Sequence, residues 1–156
     1  MDDPEQTGLT TMVRLAGPAD LDLIVPLFDV YRVFYRRTSD IEAARQFLRE
    51  RFEREESVIL LAFRDSIAEG FIQLYPMFSS AAMARSFVLN DLFVAPDARR
   101  LGVGEALLEA AAEYGRSVGA FRLTLSTELT NEAAQALYEK AGWIRDQVFC
   151  VYHSRL

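Results

Sequence analysis

Apolar and polar positions divide the chain into short segments of two kinds. Residues 12–15 (Met-Val-Arg-Leu) and 57–63, with the unbroken run Val58-Ile-Leu-Leu-Ala62, have the length and content of strands, the second of a buried type. A polar turn over 64–66 joins the second to a strand over 69–78, which predicts a hairpin. Pro76 has no amide to donate, so the pairing should loosen near that end. After a loop over 79–83, residues 85–94 predict a central strand and 121–127 another. Helical spacing fills the gaps. Leu23, Ile24, Leu27 and Phe28 recur on one face of a helix opened by Pro18-Ala-Asp20-Leu; Pro26 is expected to kink or divide it, and the aromatic stretch Tyr31-Arg-Val-Phe34-Tyr35 follows. Ser39-Asp-Ile-Glu42 has the form of a capping box for a second helix running through Phe47, Leu48 and Phe52. Residues 102–118 predict a third helix. Thr130 or Asn131 caps a fourth, which reaches Ala141 and is stopped by Gly142. Residues 143–155 predict the final strand or two.

The resulting order is β-αα-ββ-β-α-β-α-β. A strand–helix–strand passage from 85 to 127 implies a parallel pair with a right-handed crossover, whereas the hairpin implies antiparallel neighbours. The fold class expected is therefore α/β (α+β): a mixed, mostly antiparallel central sheet with helices on both faces. One domain over 11–156 follows an acidic, polar tail at 1–10 that is expected to fray.

The run Val88-Leu-Asn-Asp-Leu-Phe-Val-Ala-Pro-Asp-Ala-Arg-Arg-Leu-Gly-Val-Gly104 changes the picture most. A strand ends at Val94, Pro96 stops it, and Arg99-x-x-Gly102-x-Gly104 opens a helix. First-turn amides lack partners inside the helix, and the helix dipole favours negative charge there, so the arrangement suits a phosphate. Glycine lets a ligand approach the backbone closely. Two familiar phosphate motifs fail. A P-loop needs Gly-Lys-Ser/Thr, and the only lysine is Lys140; a dinucleotide fingerprint needs a third glycine where Leu107 stands.

Composition narrows the class. The 156 residues are 51% hydrophobic, enough for one ordered core. The net charge of −6 argues against a nucleic-acid partner and suits a cationic acceptor drawn in by the field of the protein. No apolar run approaches the ~20 residues of a membrane span. The acidic start lacks the basic and apolar stretches of a secretion signal, so the expected compartment is the cytoplasm. The single Cys150 reads as a small residue packed in a strand, and the single His153 as a strand residue; neither spacing makes a metal site, and no metal is expected. The apolar end Val148-Phe-Cys-Val-Tyr152 would leave an open edge, which suggests a homodimer.

A second segment pairs with the phosphate turn: Asn131-Glu-Ala-Ala-Gln-Ala-Leu-Tyr138-Glu-Lys-Ala-Gly-Trp143. Taken together, Arg99-x-x-Gly102-x-Gly104 and this segment resemble the acetyl-CoA-binding motif and the Asn…Leu-Tyr-Glu-Lys-x-Gly-Phe/Trp segment of the GCN5-related N-acetyltransferase (GNAT) superfamily. The two cover roughly residues 85–145. The segments Tyr31–Tyr35, Leu89–Val94 and Tyr138–Trp143 resemble its histone/polyamine-type branch. The resemblance implies two central parallel strands that splay apart to admit pantetheine. By the same resemblance, backbone at Leu92, Phe93 and Val94 meets pantetheine, and Arg99, Arg100, Leu101, Gly102, Val103, Gly104 and Glu105 wrap the pyrophosphate. Asn131, with Ala134, would contact pantetheine, and Tyr138 would protonate the departing sulfur.

The implied reaction moves acetyl from acetyl-CoA to a primary amine: a polyamine, an amino-acid derivative or a lysine side chain. The alternatives are an idle CoA-binding regulatory module and transfer to an alcohol or an aminoglycoside. An ammonium of pKa ~10.4 is about a thousandfold or more under-populated as the free amine at pH 7, roughly 4–5 kcal/mol to recover. A carboxylate or a held water would take that proton. Asp91, Glu128 and a water chain are the candidates. Asn90 stands where polyamine-type relatives carry Glu; an amide takes no proton but can position a water. Alternation puts Asp91 on the face opposite Asn90. Tyr31, Tyr35 and Tyr75 are expected walls of an acceptor site formed by the first two helices and the loop after Phe78, because aromatic faces suit an ammonium.

Overall fold

A computed structural model of the chain describes residues 10–156. The tail expected at 1–10 lies, apart from Thr10, outside the described residues. The described chain forms two compact units, one ending at Ser126 and one comprising Thr127–Leu156.

The first unit holds a five-stranded sheet in the order β1 (Met12–Leu15), β2 (Val58–Arg64), β3 (Ile67–Ser79), β4 (Ala84–Val94), β5 (Arg122–Thr124). β1 to β4 pair antiparallel in sequence, and β5 runs parallel to β4, so the mixed sheet is as expected. Two helices, α1 (Leu21–Phe34) and α2 (Ile41–Glu53), cover one face. Ile24, Val25, Phe28, Ala44 and Leu48 pack there against Ile59, Leu61, Phe63, Phe71 and Phe93. The third helix, α3 (Val103–Ser117), covers the other, burying Val103, Leu107, Leu108 and Ala111 in one i, i+4 stripe. On that face Gly70 leaves room for the helix: a Cβ there would lie 2.9 Å from the Phe93 carbonyl oxygen and 3.2 Å from the Leu107 side chain.

Several expectations need correction. Pro18–Asp20 form a separate 3-10 turn before α1, with Arg14 donating twice to Asp20 at 2.9 Å. Pro26 does not divide α1; it is exposed, while Ile24, Val25 and Phe28 are buried, so the missing hydrogen bond falls on the solvent side and packing holds the rest. The cap of α2 is Asp40, which accepts from the Ala43 amide at 3.0 Å; the Ser39 hydroxyl instead donates to Asp29 on α1.

In the second unit, α4 (Glu132–Lys140) begins at Asn131, whose side chain accepts from the Ala134 amide at 3.2 Å. It ends at Gly142 (φ 85°), with Trp143 N donating to Tyr138 O. The strands expected over 143–155 are not formed. Asp146 draws in the amides of Val148 and Phe149 at 2.7 and 3.0 Å, bending the chain where a strand would start. Cys150 and His153 are exposed there rather than in a strand. Among the described residues no helix is long and apolar enough to cross a membrane.

Candidate active site

Two features of the first unit meet on β4. The first is the turn into α3. Pro96–Ala98 form a 3-10 turn, and Arg99 Nε donates to the Val94 carbonyl at 3.1 Å. Arg100 (φ 63°) and Gly102 (φ 82°) both take left-handed backbone. Arg100 does so against its own sterics, while Gly102 does so freely. The first hydrogen bond of α3 is Ala106 N to Gly102 O at 3.0 Å, so the amides of Val103 and Gly104 precede the helical ladder. Apart from its immediate chain neighbours, nothing lies within 4 Å of where a Gly102 Cβ would stand. An anion therefore has open space, helix-terminal amides and the exposed Arg99, Arg100 and Leu101 around it.

The ladder between β4 and β5 ends at Val88–Thr124, and residues 89–94 continue past it. Leu92, Phe93 and Val94 pair with Ile72, Phe71 and Gly70 on the β3 side only. That unpaired edge, together with the open turn, fits a phosphate-bearing ligand with a long arm whose own polar groups can meet the strand's free N–H and C=O groups.

The second feature is a bulge. Gln73 pairs with Asp91 and Leu74 with Leu89, so Asn90 is a surplus residue without a partner on β3. Alternation is broken there, and the expectation that Asn90 and Asp91 face opposite ways is overturned. Both line one cleft of about 620 Å³, and Asn90 Nδ2 donates to Asp91 Oδ1 at 3.0 Å. Tyr31, Tyr35 and Tyr75 line the same cleft, with Phe28 and Phe47. The loop after Phe78 contributes nothing to it; the walls come from α1, the following turn, α2, β3 and β4.

Asp91 is 4% exposed. Gln73 Nε2 donates to its Oδ2 at 2.7 Å, and the Ser57 hydroxyl donates to Gln73 Oε1 at 2.8 Å. The carboxylate only accepts, so it turns the amide N–H of Gln73 toward itself, and the serine hydroxyl satisfies the amide oxygen left on the other side. Burial pushes the Asp91 carboxyl up from the ordinary range, and the hydrogen bonds from Gln73, Tyr31 and Asn90 pull partly back. The Tyr75 phenol is pushed up to about 12, first by burial and then by Asp91, and stays protonated. Tyr31 Oη donates to the Asn90 carbonyl at 3.4 Å, tying α1 to the bulge.

Ser57, Gln73, Arg32 and Arg37 were not singled out from sequence. Gln73 had a signal: a polar residue in the middle of an apolar strand. Glu128 is exposed, in the second unit, where its carbonyl accepts from the Asn131 amide at 3.0 Å. Tyr138 is half-buried on α4, its ring centroid 6.1 Å from that of Trp143.

Residues 24–143 match the model of the acetyltransferase (GNAT) family. The chain belongs to the GNAT acetyltransferases. This GNAT acetyltransferase is 49% identical over 140 residues to the uncharacterized N-acetyltransferase YhfO of Bacillus subtilis (strain 168), covering 90% of this chain and 94% of that one. The crystal structure of a probable acetyltransferase shares its fold at a TM-score of 0.89 and 43% identity, over 93% of this chain and 97% of the other. The aminoglycoside N-acetyltransferase AAC(6')-Iy, solved in complex with CoA, has the same fold at a TM-score of 0.79 and 19% identity, over 97% and 99% of the two chains. GNAT enzymes use acetyl-CoA, and the unpaired β4 edge and glycine-opened α3 of this chain fit that co-substrate.

Proposed function

We propose that this acetyltransferase moves acetyl from acetyl-CoA to a primary amine, with Asp91 taking the amine's proton and Tyr138 supplying one to the departing thiolate. One observation carries the reading: a buried carboxylate, held by two amide donors at a bulge, lines an aromatic cleft on the strand that leads to the phosphate turn. The turn from Arg99 to Glu105 would hold the pyrophosphate, and the backbone of residues 92–94 the pantetheine. Bound acetyl-CoA supplies an activated carbonyl and a thiolate leaving group.

The chain's own residues do the rest. An ammonium entering the cleft meets aromatic faces and a carboxylate whose raised proton affinity narrows the gap to the amine. Asn90 and Gln73 hold that carboxylate in place. The freed amine pair forms the C–N bond as the C–S bond breaks. The resemblance of residues 131–143 supports Tyr138 as proton donor: a phenol of pKa ~10 can donate to a thiolate of pKa ~8.5. Glu128 is exposed, which favours Asp91 over it as base.

Thiol release from acetyl-CoA over a panel of amines and alcohols tests the reaction. Saturable turnover confined to amines is expected, and Tyr138→Phe should lower kcat by tenfold or more without weakening CoA binding. CoA binding with no turnover on any amine would sink the proposal. We also propose a homodimer, supported by the exposed apolar residues Val148, Phe149, Val151 and Tyr152. A single chain's mass by light scattering would remove it.

A further inference from the structure

The cleft holds two arginines that the amine chemistry does not use. Arg32 and Arg37 line it together with Asn90 and Asp91. Arg32 is partly spoken for: its guanidinium lies 3.5 Å from Asp29 and donates to the Thr38 carbonyl at 3.3 Å. Asp29 in turn is 5% exposed and accepts from the Ser39 hydroxyl and, at 2.8 Å, from the Asp40 amide. Arg37 has no carboxylate beside it among the described residues.

The backbone that carries Arg37 is fixed from both sides. At the end of α1, Arg36 N donates to Val33 O at 2.9 Å and Arg37 N to Arg32 O at 3.0 Å. This closure needs a left-handed residue, and Arg36 fills it at φ 62° where glycine is usual. Asp29 then pins the start of α2 through Asp40. An exposed guanidinium is thus mounted on a stiff turn, at the opening of a cleft whose interior ends in a carboxylate. A free amine needs no such cation. A polycation such as a diamine or an aminoglycoside would be repelled by it, since its second ammonium would approach Arg37.

We propose that the acceptor is a primary amine that also carries an oxyanion, a carboxylate or a phosphate, held by Arg37 with Arg32 at the cleft mouth while the amine lies at Asp91. The acidity of the whole chain draws the ammonium end inward, and the arginines select what the other end carries. A planar guanidinium pairs two N–H groups with two oxygens of either anion. This inference rests on the N-acetyltransfer proposed above.

The test is kcat/KM for matched acceptors: 4-aminobutyrate against butylamine and butane-1,4-diamine, and O-phosphoethanolamine against ethanolamine. The anionic member of at least one set should be favoured by tenfold or more. A preference seen only for the carboxylate, or only for the phosphate, names the source. Arg37→Glu should erase that preference or turn it toward the diamine. Arg116→Glu, the same charge change at the far end of α3, should keep it. A preference for the diamine in the unaltered enzyme, or one that survives Arg37→Glu, overturns the inference and leaves N-acetylation standing. No turnover on any amine overturns both.

Discussion

The two faces of the sheet are built from the same five strands and do different work. Against α3 the contact is apolar throughout: Val103, Leu107, Leu108 and Ala111 are buried, and Gly70 gives up a side chain so that helix and strand can close. Against α1 and α2 the face begins the same way, with Ile59, Leu61, Phe63, Phe71 and Phe93, then turns polar along Ser57, Gln73 and Asp91. A wholly buried amide and a nearly buried carboxylate cost stability that an apolar pair would not. One face holds the fold together, and the other accepts a cost in order to hold a charge.

Substitutions on the two faces should act on different properties of the protein. Asp91→Asn keeps shape but removes the base, and kcat should fall roughly 10²- to 10⁴-fold, the range for general base catalysis. Steady-state kinetics with CoA affinity measured in parallel decides it; a fall below fivefold would move the proton to a water chain. Leu107→Ala should cost about 2–5 kcal/mol of stability in denaturant melts, with kcat below the transition within twofold. Equal damage to rate and stability in both variants would mean that the faces are not separable.

The smallest effect falls on the pH profile. The carboxylate is the active form of Asp91, and burial raises its pKa, so the acid limb of kcat/KM should lie above the usual ~3.9. The Gln73 hydrogen bond favours the charged form. Ser57→Ala leaves the Gln73 amide oxygen without its donor and weakens the amide's hold on the carboxylate, so the limb should move upward, toward higher pH. A neutral hydrogen bond worth about 0.5–1.5 kcal/mol corresponds to roughly half a unit to one unit. A downward shift would refute the relay. Ser57→Thr, which keeps the hydroxyl, should restore the profile.

Element order as far as α4, sheet type and the glycine turn were legible because each follows from local pattern. Gly142 ends α4 where a left-handed residue is needed, and Asn131 caps it. The end of α1 was less so, since Arg36 takes the same left-handed closure without being glycine. At Asn90 the period of two misled: a surplus residue leaves no mark in the sequence except two polar neighbours in an apolar strand. That Tyr31, Tyr35 and Tyr75 would line one cleft was readable, as aromatic residues near acids, whereas the partners of Gln73 lie 16 and 18 residues away and the arginines reach the cleft only once α1 packs beside β4. Residues 143–155 looked like strand by composition, but the side chain of Asp146 competes for the amides a ladder would need.

The surplus residue in β4 also governs how this strand can evolve. Val88 and Leu89 would exchange sides if Asn90 were deleted, and Phe87 would leave its seat by Tyr114, 5.7 Å away between ring centres, for the opposite layer. Letters at this place can be traded singly, but the count of letters cannot change without refolding everything upstream.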